Sequence, residues 1–120
     1  MEKTKIPIEV QQDANKIISD FNLKIFKKKP DLGYFAVYKG DFLYLDRKEG
    51  KDKCPIARLK YTGKNNGWKF EIFKWSSERY DPDEFYFPGS KHLNGTIEGA
   101  LKAGQEAYPP NWSPSEKVIC

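Results

Sequence analysis

The sequence is poor in the residues that build most catalytic and metal sites. It contains one histidine, His92, and two cysteines, Cys54 and Cys120, among 120 residues. A lone imidazole without neighbouring ligands forms neither a metal shell nor a nucleophile dyad, and the two cysteines share no metal-ligand spacing. We therefore expect no metal and no cofactor, and we interpret His92 as a loop residue in contact with solvent.

Sequence motifs for catalysis are also missing. The chain has no phosphate-binding G-x-x-x-x-G-K-[ST], no G-x-G-x-x-G after a strand and no G-x-S-x-G elbow. Three neighbouring carboxylates, Asp81, Asp83 and Glu84, could hold a cation, but Asp-Pro-Asp is common turn sequence and the calcium-loop spacing is absent. The sequence predicts no catalytic residues and a protein that is not an enzyme, although a small chain can assemble a site from residues distant in sequence.

Long hydrophobic runs are absent as well. No segment approaches the roughly 18 apolar residues of a membrane-spanning helix, and the chain has no recognisable secretion signal. These absences predict a cytoplasmic protein that does not associate with membranes. In a reducing compartment we expect free thiols, and a disulfide between Cys54 and Cys120 is the alternative.

What the chain does contain is aromatic rings and charge of both signs. Aromatic residues make up 15% of the sequence, and 21 Lys and Arg against 17 Asp and Glu give a net charge of +4. One hydrophobic core is sufficient for a chain of this length. We expect a single domain over residues 5–109 and a loose C-terminal tail over residues 110–120, where apolar residues are few.

Apolar residues at spacings of three and four predict an amphipathic helix at each end of the domain. The apolar stripe of the first helix runs from Val10 to Phe21, with Ile25 as an optional last member, and we expect Asn22 to end the helix as a left-handed cap. The second helix is capped by Asn94 or Thr96 and continues to about residue 108. Gly104 on its apolar stripe predicts a close approach to the sheet.

Alternating apolar and polar residues between the helices predict antiparallel strands. A first hairpin pairs Lys39 with Phe42 around Gly40 and Asp41, which puts apolar residues on both of its faces. We expect a solvated loop over residues 46–53, a second hairpin over residues 56–75 and a short fifth strand within residues 80–87 at an edge. The predicted fold class is α+β, an antiparallel sheet of four or five strands with an N-terminal and a C-terminal helix packed on it.

The second hairpin separates apolar from basic side chains. Its segments 56–61 and 68–75 flank a turn-rich stretch, in which Asn66 and Gly67 would supply the positive φ angles of a tight turn. Period-2 alternation directs one set of side chains to the core: Ala57, Leu59, Tyr61, Trp68, Phe70 and Ile72. The opposite face carries Glu71 and the candidate binding residues Arg58, Lys60, Lys69, Phe73 and Trp75.

Two kinds of binding fit these patterns. More rings are present than one side of a small sheet can bury, namely Tyr34, Phe35, Phe42, Tyr44, Phe73, Trp75, Phe85, Tyr86 and Phe87. This surplus predicts a non-enzymatic binding module whose partner is a protein or a second copy of the chain, unless the helices cover the second face.

The alternative is nucleic-acid binding through the 56–75 hairpin. Arg58, Lys60 and Lys69 would contact phosphates, and Phe73 or Trp75 would stack on a base. The simplest interpretation of the same residues is a charged face in contact with solvent, because Glu71 interrupts its positive charge.

Two resemblances to known families follow from these segments. From residue 58 to residue 108, three strands followed by a helix resemble the layout of plant-type and integrase-type DNA-binding domains, whose strands read the major groove. Over most of the chain, the sequence resembles a group of small bacterial domains of unknown function. The strands that carry this second resemblance are Pro55-Ile56-Ala57-Arg58-Leu59-Lys60-Tyr61 and Gly67-Trp68-Lys69-Phe70-Glu71-Ile72-Phe73, between a helix at each end. It implies a small bacterial protein, and it brings no activity and no functional residues with it.

Overall fold

The structure, a computed structural model, describes residues 4–27, 32–64, 67–74, 77–81 and 89–108. Its elements are helix α1 (Ile8–Phe26), strands β1 (Leu32–Lys39), β2 (Phe42–Glu49), β3 (Asp52–Lys60), β4 (Lys69–Lys74) and β5 (Arg79–Asp81), a 3-10 turn (Ser90–His92) and helix α2 (Ile97–Ala107). The strands form one antiparallel sheet in the order β1-β2-β3-β4-β5. The predicted α+β fold is confirmed.

Both helices pack on the same face of the sheet. They contact each other, and α1 also contacts β1. Their apolar residues join those of the strands in one core, which includes Ile18, Phe21, Leu43, Leu45, Leu59, Ile97 and Leu101. Because successive side chains of a strand point to opposite faces, the intervening strand residues lie on the far side of the sheet, away from both helices.

Helix α2 has the predicted cap and lies close to the sheet. Thr96 is the N-cap, and its Oγ1 accepts a hydrogen bond from the Gly99 N–H at 3.0 Å. A Cβ on Gly104 would lie 2.7 Å from Cγ2 of the buried Ile56 in β3, which is too short for two carbon atoms. Glycine therefore allows α2 to approach the sheet as predicted.

Helix α1 is longer than predicted, and Asn22 does not end it. The helix continues to Phe26, and Lys27 takes the left-handed conformation with a φ of 50°. The side chain of Asn22 instead binds the edge strand β1: its Nδ2 donates to the Tyr34 carbonyl and its Oδ1 accepts from the Tyr34 N–H, both at 2.8 Å. One amide thus satisfies two backbone groups of an edge strand, and this tertiary contact outweighs the capping preference of asparagine.

The predicted loop over residues 46–53 is wrong. Strand β2 continues to Glu49 and β3 begins at Asp52, with Gly50 at a φ of 64° in the turn between them. In the pairing of β2 with β3, Ile56 is an extra residue that opposes no residue of β2, and both Ile56 and Ala57 are buried at this bulge. Except for Lys51 in the turn, the charged residues that the sequence placed in solvent therefore belong to two paired strands.

The second hairpin has the predicted faces but a different turn. Leu59 pairs with Phe70 on the core side, and Arg58 pairs with Glu71 on the other side. The strands are joined by residues 61–68, and the described positive φ in this loop belongs to Gly63 (89°) and not to Gly67. Position 66 lies outside the described residues.

The fifth strand and the ends of the domain are seen in part. Strand β5 is short and lies at the sheet edge, as predicted, but it occupies Arg79–Asp81. The later part of the predicted strand, residues 82–87, lies outside the described residues. The same holds for the predicted tail, so the domain boundary at residue 109 stays a prediction.

Cys54 does not carry the expected free thiol. It is fully buried in β3 and is disulfide-bonded. Cys120 is the other cysteine of the chain, and it lies outside the described residues. The expectation of a fully reduced chain is therefore wrong.

Candidate binding surface on the open sheet face

The sheet face opposite the two helices, here called the open face, collects aromatic and charged side chains from all five strands. Strand alternation and cross-strand register place five rings on it: Phe35, Phe42, Tyr44, Phe73 and Tyr80. Of the residues that the structure describes, they also place six cations there, Lys39, Lys48, Lys53, Arg58, Lys60 and Lys69, against two carboxylates, Asp46 and Glu71. Among the described residues of the open face, cations therefore exceed carboxylates by four.

Arg58 lies at the centre of the open face and is held by an acid and by rings. Its Nε donates to Oε1 of Glu71 at 2.7 Å. Its guanidinium carbon lies 4.1 Å from the ring centre of Phe42 and 5.0 Å from that of Tyr80. Burial disfavours the charged form of Arg58, but hydrogen bonds to Glu71 and Tyr44 outweigh burial and raise its pKa. Arg58 is therefore a fixed positive charge with a side chain that is 27% exposed.

The rings around Arg58 form a connected group. The ring centres of Tyr44 and Tyr80 are 5.5 Å apart, and those of Phe73 and Tyr80 are 5.1 Å apart, both with edge-to-face geometry. Phe42 continues the group, 6.0 Å from Tyr44. All four rings are half-buried. Burial raises the pKa of Tyr80 to about 12, so its hydroxyl is neutral at physiological pH.

A row of lysines runs along one end of the open face. Cross-strand pairing aligns Lys39 with Phe42, Phe42 with Lys60, and Lys60 with Lys69. All three lysines are exposed. We call these four residues, from β1 to β4, the lysine row.

The two carboxylates of the open face lie outside the lysine row. Glu71 is in the neighbouring row, where it pairs with Arg58. Asp46 is one row further away, opposite Phe35. Burial raises the pKa of the Asp46 carboxyl, while Lys39 and Lys53 lower it. The charged residues of the lysine row are therefore all lysines.

The predicted site residues lie together where the structure describes them. Arg58, Lys60, Lys69 and Phe73 are all on the open face, whereas Trp75 lies outside the described residues. The carbonyl of Phe73 also accepts a hydrogen bond from the hydroxyl of Tyr108 at 2.5 Å.

Sequence reasoning missed the contribution of the first hairpin to this surface. Phe42, Tyr44 and Lys39 were predicted on the right strands, but the pairing of β2 with β3 that joins them to Arg58 and Lys60 was not predicted. Of the rings expected in surplus, Phe35 also lies on the open face, whereas Tyr34 is buried on the helix side. The remaining rings, at positions 85, 86 and 87, lie outside the described residues.

Other titratable groups on the helix side are paired with one another. Nε2 of His92 lies 2.9 Å from Oε1 of Glu106, and this hydrogen bond lowers the pKa of the Glu106 carboxyl. His92 therefore lies at a partly exposed position of the 3-10 turn, and its pairing with Glu106 is the part that the sequence did not predict. Asp81 contacts Lys74 at 3.7 Å, and the other two carboxylates of that predicted cluster lie outside the described residues. Within the described ranges, no group of three His, Cys, Asp or Glu residues could hold a metal ion.

A buried ion pair below α2 was also missed. Nη2 of Arg47 lies 2.7 Å from Oε2 of Glu49, and both side chains are almost fully buried. Nη1 of Arg47 donates to the Tyr34 hydroxyl at 3.0 Å and to the Tyr108 carbonyl at 2.5 Å. The Tyr34 hydroxyl in turn donates to Gln105 at 2.7 Å, and burial raises the pKa of Tyr34. This cluster joins the strands to the C-terminal end of α2.

No family model matches this chain, and neither a curated protein nor a solved structure matches it. Among the described helices, none has the length and apolar character needed to cross a membrane.

Proposed function

We propose that this protein is a non-enzymatic binding module and that the open face is its binding surface. One observation carries the proposal: five rings and six cations, against two carboxylates, share the side of the sheet that both helices leave uncovered. Half-exposed rings offer contact area, and the cations attract an anionic partner. The proposal involves no cofactor and no metal.

Nucleic acid is the partner class that this surface fits best. Lysine is depleted in the cores of protein–protein interfaces, whereas aromatic residues and arginine are enriched there. On the open face, five of the six cations are lysines, and all five are exposed. Lysines that contact phosphates and rings that stack on bases are the two sources of affinity in sequence-tolerant nucleic-acid binding.

A protein partner, or a second copy of the chain, is the second candidate. The observation in its favour is the centre of the face, where Arg58 lies between Phe42 and Tyr80, because arginine and aromatic residues dominate the binding energy of protein interfaces. Small-angle scattering and cross-linking test self-association. A dimer that Arg58→Ala dissociates would favour this candidate over nucleic acid.

The dependence of affinity on salt tests nucleic-acid binding. We expect labelled DNA and RNA oligonucleotides to bind at about 50 mM salt and to bind much more weakly at about 200 mM, because phosphate contacts release counterions. Removing two contacts with Lys60→Gln/Lys69→Gln should make the slope of log affinity against log salt less negative by about 1.4 on single strands.

The matched control removes the same charge from the helix side. Lys16→Gln/Lys102→Gln changes two exposed lysines of α1 and α2, and we expect it to bind like the wild type. If both double variants weaken binding equally, the open face is not the binding surface. If the wild type does not bind at low salt, the nucleic-acid proposal is wrong and the protein candidate remains.

We further propose a bacterial origin and a cytoplasmic location. The origin rests on the resemblance of the strand sequences to small bacterial domains. The disulfide of Cys54 is an observation against the location, because disulfides persist mainly in oxidising compartments. Alkylation of thiols in freshly lysed cells, before any reduction, tests the location. Modification of Cys54 under mild denaturation supports a reducing compartment, and protection of Cys54 contradicts it.

A further inference from the structure

We infer that the open face binds a single-stranded nucleic acid whose phosphate backbone follows the lysine row, with bases stacked beside it on Phe42 and Tyr44. The inference rests on the proposed function and adds the form of the nucleic acid and its path across the sheet.

The path follows from the register of four strands. Lys39, Lys60 and Lys69 lie on β1, β3 and β4, in one line across the strands. Neighbouring strands are about 4.8 Å apart, so the row is about 14 Å long. Three exposed ammonium groups along such a line can contact successive phosphates of a single nucleic-acid strand.

The charges of the neighbouring rows confine the backbone to this line. Next to the lysine row, Glu71 is paired with Arg58, and beyond it lies the carboxyl of Asp46. A phosphate placed over Asp46 would meet repulsion, and the two lysines beyond Asp46 form only one cross-strand pair, whereas the lysine row offers three lysines across four strands. The backbone is therefore expected at the end of the sheet where Lys60 and Lys69 lie.

The rings lie within reach of the bases of a nucleic-acid strand that follows the lysine row. Phe42 is inside the lysine row, and Tyr44 is in the adjacent row, opposite Arg58. The two ring centres are 6.0 Å apart, and the guanidinium of Arg58 lies over Phe42. Bases stack on aromatic rings and on guanidinium planes alike, without a requirement for a particular base.

A duplex fits this surface poorly. The axes of the five strands span about 19 Å at a spacing of about 4.8 Å, whereas the major groove of B-DNA is about 12 Å wide and admits a two-stranded ribbon. Bases inside a duplex are also stacked on each other, so Phe42 and Tyr44 cannot reach their faces. Only a single-stranded nucleic acid presents its phosphates and the faces of its bases together.

Fluorescence anisotropy with an oligothymidylate of about 12 nucleotides and with a duplex of the same length tests the inference. We expect the wild type to bind the single strand at least about tenfold more tightly than the duplex at about 50 mM salt. Phe42→Leu/Tyr44→Leu should weaken single-strand binding by about tenfold or more and leave duplex binding unchanged.

Two further variants control for loss of structure. Tyr44→Phe keeps the ring and should bind like the wild type. Leu23→Ala removes an exposed apolar side chain from α1, outside the open face, and should also leave affinity unchanged. Far-UV circular dichroism verifies that each variant is folded, and the exposed Lys39→Gln provides a test of the path if the double ring variant does not fold.

The outcomes separate this inference from the proposed function. Equal affinity for single strand and duplex, or unchanged single-strand affinity of a folded Phe42→Leu/Tyr44→Leu variant, overturns the inference and leaves nucleic-acid binding intact. Unchanged affinity of Lys39→Gln overturns the proposed path. Absence of binding to either probe at low salt overturns the inference together with the nucleic-acid function.

Discussion

At the scale of single residues, Arg47 and Glu49 are two charges that the fold removes from water. They are two positions apart on β2 and therefore share the face that packs against the helices. Their exposed fractions are 1% and 3%. A buried guanidinium is tolerated only when its donors are satisfied, and here Glu49, Tyr34 and the Tyr108 carbonyl accept its hydrogen bonds.

Breaking this pair should destabilise the protein strongly. We expect Glu49→Leu to lower the free energy of unfolding by about 3 to 5 kcal/mol, because the charge of Arg47 is left buried without its carboxylate. Urea denaturation measures the change, and Lys16→Ala, in the exposed pair with Asp20, should cost less than about 1 kcal/mol. The double variant Arg47→Met/Glu49→Leu should be more stable than Glu49→Leu alone. A loss below about 1 kcal/mol for Glu49→Leu would contradict the buried placement.

Tyr38 makes the stability sensitive to alkaline pH. Its hydroxyl lies 2.7 Å from Oδ1 of Asn15 and 3.2 Å from the Gln11 carbonyl on α1, and burial raises its pKa to about 12. The unfolded chain releases this proton near pH 10. The stabilisation is therefore complete below about pH 10 and is lost as the pH rises towards 12. Tyr38→Phe cannot ionise, so its unfolding free energy should fall less steeply over this range in denaturation experiments. Equal slopes for the two proteins would show that Tyr38 is not responsible.

At the scale of secondary-structure elements, the Asn22 side chain joins α1 to the edge of the sheet. Its amide pairs with both backbone groups of Tyr34, so β1 has a hydrogen-bonding partner on the side where no described strand follows. This contact fixes α1 along β1 and shields part of an edge that could otherwise pair with another chain.

Replacing Asn22 tests this contact between α1 and β1. Asn22→Leu leaves the N–H and carbonyl of Tyr34 without the amide, and we expect a loss of about 1 to 3 kcal/mol in the free energy of unfolding. Hydrogen exchange of the Tyr34 amide should accelerate more than that of other β1 amides. Gln12→Leu, at an exposed position of the same helix, is the matched control. If the Tyr34 amide exchanges at the same rate in both variants, the contact with Asn22 does not protect β1.

Local periodicity was sufficient to predict the helices and both hairpins, because each of these patterns lies within one short segment. The stretch around Arg47 and Glu49 was predicted wrongly because its polarity indicates solvent. The groups that satisfy these charges, Tyr34 and Tyr108, come from distant parts of the chain. Burial of these charges depends on contacts between distant segments, so no local sequence pattern indicates it.

The candidate surface was predicted to the extent that one hairpin contains it. Arg58, Lys60 and Lys69 follow from alternation within residues 56–75. Phe42 and Lys39 join them only through the pairing of β2 with β3, where the bulge at Ile56 changes the register. One extra residue in a strand moves later side chains to the other face, so this part of the surface could not be derived from periodicity.

At the scale of the whole molecule, the sheet separates two chemically different sides. The helix side contains the core and its paired charges, and the open face contains the excess cations. An anionic partner is therefore attracted towards one side of the protein, and its rate of association should fall as salt is added.

The order of the strands also bears on how the protein is made. Every strand pairs with a neighbour in sequence, so each hairpin can close as soon as its second strand leaves the ribosome. Helix α2 is synthesised after all five strands, and it supplies Leu101 to the core and the Tyr108 carbonyl to Arg47. Until α2 packs on the sheet, the guanidinium of Arg47 remains hydrated. The nascent sheet can thus form strand by strand during synthesis, while water is excluded from the core only when α2 packs on the sheet.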